Sequence, residues 1–166
     1  MIWIGFKRYV GTRRTGKGYQ VMESSSASIA DQPLILGFDP GRRKCGIAIM
    51  GVDRTLRSHQ VVATEDAIAT IQALRQQFAI SLLVMGDQTT SKEWRQRLSK
   101  ELPDPPSIVL VDERYSSLEA RDRYWQMYPP KGLSRLIPQS FRAISQPIDD
   151  IVAILLIERY LERLVQ

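Results

Sequence analysis

Leu34-Ile35-Leu36-Gly37-Phe38 is an apolar run that stops at a carboxylate, Asp39, before the chain passes through Pro40-Gly41-Arg42-Arg43-Lys44-Cys45-Gly46 into a second run, Ile47-Ala48-Ile49-Met50. Two short runs separated by a Gly-bounded turn predict a strand and its antiparallel return. Asp39 then stands at the mouth of the turn beside three cations. A carboxylate in that place suits a divalent cation, while the turn's backbone N–H groups and Arg42, Arg43 and Lys44 suit a phosphate. The chemistry indicated is metal-dependent work on a phosphorylated substrate. A plain surface hairpin with a turn aspartate reads the same from these residues alone.

Further along, the apolar period alternates between that of a strand and that of a helix. Leu56-Arg57-Ser58-His59-Gln60-Val61-Val62 is a partly alternating third strand. Residues 65–78 place Ile68, Ile71, Leu74 and Phe78 on one helical face. Residues 81–85, apolar after Ser81, read as a strand covered on both faces. Thr90-Ser91-Lys92-Glu93 reads as a capping box opening a helix toward Glu101, and residues 103–106 connect to a strand at Ile108-Val109-Leu110-Val111. That strand ends in Asp112-Glu113-Arg114. Ser116-Ser117-Leu118-Glu119 reads as a second capping box, opening a helix through Trp125. A long loop over residues 128–147 carries Pro129, Pro130, Pro138 and Pro147, and a final helix spans about residues 148–164. Three meander strands followed by alternating helix and strand predict an α/β fold, a mixed five-stranded sheet ordered 3-2-1-4-5 with helices on both faces.

The 166 residues, 43% hydrophobic and 25% charged, suit a single globular domain with its own core. The most apolar stretch, residues 148–156, is interrupted by Asp149 and Asp150 and falls short of the roughly 20 residues a membrane helix needs. No membrane partner is expected. A single cysteine, Cys45, forbids an intramolecular disulfide and a Cys-rich zinc site, which points to a reducing, cytoplasmic setting. The net charge of +5 is unevenly placed: Lys7, Arg8, Arg13, Arg14 and Lys17 precede residue 23 with no acid among them, and the remainder is balanced. Residues 1–32, basic and then Ser-rich, read as a disordered extension ahead of a domain at 33–166. The favoured explanation is a segment upstream of a start at Met22; a nucleic-acid-binding arm and a transit-type peptide are the others.

Acidic residues recur at the ends of elements: Asp39 after the first strand, Asp112-Glu113 after the last, Asp149-Asp150 at the last helix. In the 3-2-1-4-5 order the first strand is central, so carboxylates at neighbouring strand ends can meet at one edge. Acids brought together repel, and a divalent metal is the simplest way to make their convergence favourable. Singly, each has a plainer role, since Asp149 or Asp150 can cap a helix and Asp112 can merely end a strand.

Phe38-Asp39-Pro40-Gly41 with Gly46-Ile47-Ala48, then Val111-Asp112-Glu113-Arg114-Tyr115-Ser116-Ser117-Leu118-Glu119-Ala120, then Asp149 with Ala153-Ile154-Leu155-Leu156 and Tyr160, resemble the YqgF family. Its members have the RNase H-like fold related to RuvC Holliday-junction resolvases and are assigned as resolvases or as nucleases maturing the small-subunit ribosomal RNA precursor. The resemblance runs from Pro33 to about Leu164. It implies a hydrolase cutting phosphodiester bonds with Mg²⁺ or Mn²⁺, with catalytic and metal-binding acids at Asp39, Glu113 and Asp149; Asp150, where a small residue is common, is a candidate fourth ligand. The chain departs from the family pattern at Val84-Met85-Gly86-Asp87-Gln88-Thr89-Thr90-Ser91, where Asp87, Thr89 and Thr90 can still offer oxygens to a phosphate.

Substrate binding is expected of Arg42, Arg43, Lys44 and Arg114, and of Lys131, Arg135 and Arg142 in the long loop, with Tyr124, Trp125, Tyr128 and Phe141 interleaved for stacking. A solvated loop with its aromatics packed beneath is the plainer reading. His59, the sole histidine, reads as a surface or packing residue, and Cys45 as a small residue packed in its strand. The partner is a nucleic acid, either ribosomal RNA precursor or branched DNA, and the protein a monomer or homodimer. A catalytically silent ribosome-assembly factor on the same fold remains a distinct class. An actin-like or sugar-kinase-like ATPase would need a duplicated domain and a second phosphate loop, for which the chain is too short.

Overall fold

The computed structural model describes residues 32–165 apart from Thr89 and Ser145. The expectations for residues 1–31, among them the start at Met22 and the cations Lys7, Arg8, Arg13, Arg14 and Lys17, lie outside the described residues, as does the phosphate contact expected of Thr89. Elements follow in the order β1 (Leu34–Asp39), β2 (Lys44–Gly51), β3 (Leu56–Ala63), α1 (Ala67–Gln77), β4 (Ile80–Gly86), α2 (Ser91–Glu101), β5 (Ser107–Val111), α3 (Ser116–Met127) and α4 (Asp149–Arg163). The sheet is ordered β3-β2-β1-β4-β5, with β1–β2 and β2–β3 antiparallel and β1–β4 and β4–β5 parallel. This is the mixed arrangement predicted from the sequence.

Both faces of the sheet are covered, and the pleat decides which residues each cover receives. Leu36 and Phe38 of β1, Ile47 and Ile49 of β2, and Leu83 and Met85 of β4 pack with Ile68, Ile71 and Leu74 of α1 and Trp94 and Leu98 of α2. On the other face Ile35, Ala48, Met50, Val84 and Val111 pack with Ala120 and Tyr124 of α3 and with Ile151, Ile154 and Ile157 of α4. Gly37 also faces α4, because a Cβ there would run into the Ala153 carbonyl. Continuing the alternation one step places Asp39 on the α4 face.

Both predicted capping boxes are absent. Thr90 is the residue before α2, but its hydroxyl donates to the Pro40 carbonyl at 3.0 Å instead of capping the helix. Ahead of α3 stands Tyr115, in the left-handed region at φ 63°, with no side-chain cap; Glu119 is drawn away by Arg159 at 2.8 Å. In both cases a tertiary partner outcompetes the local hydrogen bond. The α4 cap is Ile148, so Asp149 and Asp150 lie in the first turn, where the helix dipole favours their charge. Within the long loop, two short 3-10 segments form at Gly132–Leu136 and Gln139–Phe141. Among the described residues no helix is long and apolar enough to cross a membrane.

Candidate active site

Three positions in adjacent strands make the floor of the site. Asp39 pairs directly with Gly46 across the β1–β2 ladder. Phe38 pairs with Met85 of β4, so the next step of that parallel register lays Gly86 along the other flank of Asp39. Gly46 could not carry a side chain, and Gly86 could carry one only if Glu113 moved away. A Cβ on Gly46 would strike the Asp149 carbonyl, and one on Gly86 would strike Glu113 Oε2. Asp39 thus occupies a crease bare of neighbouring side chains, with the start of α4 lowered into one side and the Glu113 carboxylate into the other. Glu113 arrives there because it follows β5 two residues after Val111, on the same face.

The electrostatics follow from that placement. Asp39 is pushed up to about 7, first by burial and then by the negative charges of Glu113 and Asp149. Glu113 is raised as well, first by burial and then by Asp87, with Arg159 pulling the other way. Asp39 and Glu113 share a pocket of about 170 Å³ with Gln88, Tyr115, Ser116 and Ser117. The Tyr115 ring stands at this pocket 75% exposed, on a backbone conformation that few aromatic residues adopt. Hard oxygen donors around a carboxylate that cannot comfortably hold its charge suit a divalent cation. Among the described residues no three His, Cys, Asp or Glu side chains already enclose an ion position, so binding one requires these carboxylates to draw together.

The remaining residues singled out in the sequence have varied fates. Asp150 lies against His59 Nδ1 at 2.6 Å, joining β3 to the start of α4, and its other oxygen accepts from the Ile151 N–H at 2.9 Å. Arg42 and Arg43 in the β1–β2 turn and Lys44 at the start of β2 are exposed. Arg114 folds back on Asp112, its Nε 2.9 Å from Oδ2, and this contact holds the Asp112 carboxyl down at about 2. Arg135 donates to the Pro130 carbonyl at 3.1 Å, and Arg142 donates to the Ile137 carbonyl at 2.7 Å while its guanidinium lies 5.6 Å from the Trp125 ring centre. These two arginines pin the loop to itself. Lys131 is exposed in the same loop and also has an interaction partner. Phe141 and Leu133 are bare at 79% and 84%, whereas Tyr124 and Trp125 pack with the core and the Tyr128 ring lies 5.1 Å from that of Tyr124. Cys45 is buried in β2, as expected of a packing residue. Asp87, close enough to raise Glu113, adds an acid to the site's edge, while the Thr90 hydroxyl is engaged by Pro40.

Comparison with known proteins adds three findings. Residues 33–163 match the family model described as RuvX, Holliday junction resolvase. A protein of Sulfurihydrogenibium sp. (strain YO3AOP1) named "Putative pre-16S rRNA nuclease" is 26% identical over 144 residues, 78% of this chain and 90% of that one. Among solved structures, RuvC of T. thermophilus in complex with Holliday junction substrate aligns at 16% identity and a TM-score of 0.43, covering 80% of this chain and 96% of the other.

Proposed function

The chain belongs to the RuvX family of Holliday junction resolvases, the YqgF family by another name, and from that premise we propose that it is a divalent-cation-dependent endonuclease trimming the 5′ end of the small-subunit ribosomal RNA precursor. The observation that carries this reading is the crease: two glycines flank Asp39, and the space they leave brings Asp149 and Glu113 beside it. A fold stabilised for its own sake has no use for two further acids beside one half-buried carboxyl. The residues fit Mg²⁺ or Mn²⁺, with Asp39, Glu113 and Asp149 as ligands and Asp150 as the outer partner that fixes the α4 end through His59. When bound, such ions activate water and neutralise the oxygen that leaves. Asp39 supplies the central carboxylate; Glu113 and Asp149 hold it from the two flanks. Arg42, Arg43 and Lys44 meet the phosphates, and the exposed Tyr115 ring offers a stacking surface to an unpaired base at the pocket.

Junction DNA is the second reading, favoured by the family's own description. The relative's name favours the ribosomal precursor. Both substrates, presented to purified protein with Mg²⁺ or Mn²⁺ beside the Asp39→Asn variant, separate the two. Cleavage of precursor RNA at a discrete 5′ site, lost on chelation and in Asp39→Asn, is expected. Cleavage restricted to four-way junctions replaces the RNA reading, and cleavage that survives Asp39→Asn removes the proposed site.

A further inference from the structure

We propose that the outward face of α2 is a second phosphate-backbone contact, holding the nucleic acid where it runs on from the active site; this rests on the nuclease reading above. The observation is where the unengaged cations lie. Most arginines of the described chain are occupied: Arg54, Arg57, Arg97, Arg114, Arg123 and Arg159 by carboxylates, and Arg75, Arg135 and Arg142 by backbone carbonyls. Among the described residues, Arg42, Arg43 and Lys44 at the β1–β2 turn and Lys92, Arg95 and Lys100 on α2 have no such partner. Arg121 and Arg163 share that condition, each alone on its helix.

On α2 the charges are sorted by side. At about 100° per residue, Lys92, Arg95, Gln96, Ser99 and Lys100 fall on one arc, and these five residues line a single shallow concavity. Glu93, Arg97 and Glu101 fall on the neighbouring arc, where Arg97 Nε meets Glu101 at 3.1 Å and the guanidinium stacks 4.3 Å from the Trp94 ring centre. Ser91, Trp94 and Leu98 face the core. A merely solvated helix gains from mixing its signs at i, i+4, whereas this one keeps both acids off the cationic arc.

The arc is also joined to the site. The Thr90 hydroxyl, one residue before α2, is bonded to the Pro40 carbonyl, one residue after Asp39. The start of α2 is therefore fastened to the turn that carries Arg42 and Arg43 and leads into Lys44. From Lys92 to Lys100 the helix advances about 12 Å, close to the rise of three to four nucleotides along a duplex. Cations with only Gln96 and Ser99 between them touch backbone rather than read bases, so the contact is independent of sequence.

The test measures binding by catalytically disabled Asp39→Asn protein, with and without Lys92→Ala/Arg95→Ala/Lys100→Ala, to junction DNA and precursor RNA over a salt series. Loss of three phosphate contacts should lower the slope of log affinity against log salt by roughly 2 to 3. In the cleaving protein the same triple variant should raise KM and leave kcat unchanged, and Lys92→Arg/Lys100→Arg should behave as the parent. The substituted side chains are exposed, so the thermal midpoint should hold. An unchanged salt slope on both substrates overturns the α2 contact even where cleavage is normal. A parent that binds with the full slope but never cleaves overturns the nuclease reading and leaves the α2 contact standing.

Discussion

Phe38 and Asp39 are neighbours in β1, yet they serve opposite faces of the sheet and opposite ends of the energetic balance. Phe38 is fully buried on the α1–α2 side, edge-on to Trp94 with ring centres 5.0 Å apart. Asp39 is turned to the α3–α4 side, where it meets other carboxylates across a crease without side chains. The Phe38 ring lowers the free energy of the fold, and the clustered negative charge around Asp39 raises it. A strand end can thus do both jobs, because the pleat keeps an aromatic core and a charged site a single residue apart. Any variant that acts on one face alone should leave the other unchanged.

The largest effect on this contrast is expected from Phe38→Ala. Removing the ring from a sealed core should cost about 3–5 kcal/mol of unfolding free energy in a denaturant titration. The folded fraction should still cut with the parental kcat. A loss of activity per folded molecule would show that the two faces are coupled.

Gly86→Ala probes the other face. Its new Cβ meets only the mobile end of Glu113, so the carboxylate should swing out of the crease with little loss of stability. Cleavage should fall by roughly 10–100-fold, the scale seen when the support of a metal site is disturbed, and the thermal midpoint should move little. Undiminished cleavage would show that Glu113 is not needed where it lies.

A smaller effect sharpens the boundary of the acidic site. His59→Ala removes the partner of Asp150 and should lower stability by about 1 kcal/mol, the usual scale of a side-chain hydrogen bond. Its cleavage defect should be smaller than that of Asp149→Asn. If Asp150→Asn proves as damaging as Asp149→Asn, Asp150 belongs among the metal ligands. The smallest effect is expected in the long loop. Because Arg135 and Arg142 donate to loop carbonyls, their alanine variants should change the salt slope of binding less than alanines at Arg42, Arg43 and Lys44. A larger change would return the loop to the role its composition suggests.

How far the sequence could be read depended on the range of the interaction. Strands, helices and sheet order follow from local period and connection, and so they were legible. Asp39, Glu113 and Asp149 were legible as acids at element ends and through the family resemblance. The crease was not, since Gly46 and Gly86 become neighbours of Asp39 only through the register of three strands. The His59–Asp150 contact joins residues 91 positions apart, and nothing in either local pattern announces it. The capping boxes misled for the same reason: Thr90 and Glu119 match the motif locally, but Pro40 and Arg159 reach them first. Charge composition did not show that Arg135 and Arg142 donate to carbonyls of their own loop, because counting cations does not reveal which of them the backbone already holds.

The claim at the centre is that Asp39 is a half-buried carboxyl made uncomfortable by its acidic neighbours and relieved by a cation. Carboxyl carbon-13 NMR titration of metal-free protein, repeated with saturating Mg²⁺, tests it most directly. Without metal Asp39 should titrate near 7 instead of at the ordinary 3.8. The folded state then keeps a proton that the unfolded chain gives up, so stability of the metal-free protein should fall as pH rises from about 4 to 7, and Asp39→Asn should flatten that fall. Saturating Mg²⁺ should return the midpoint to the ordinary carboxylate range or below it. A midpoint near 3.8 in metal-free protein, or one near 7 that Mg²⁺ does not move, would contradict the claim.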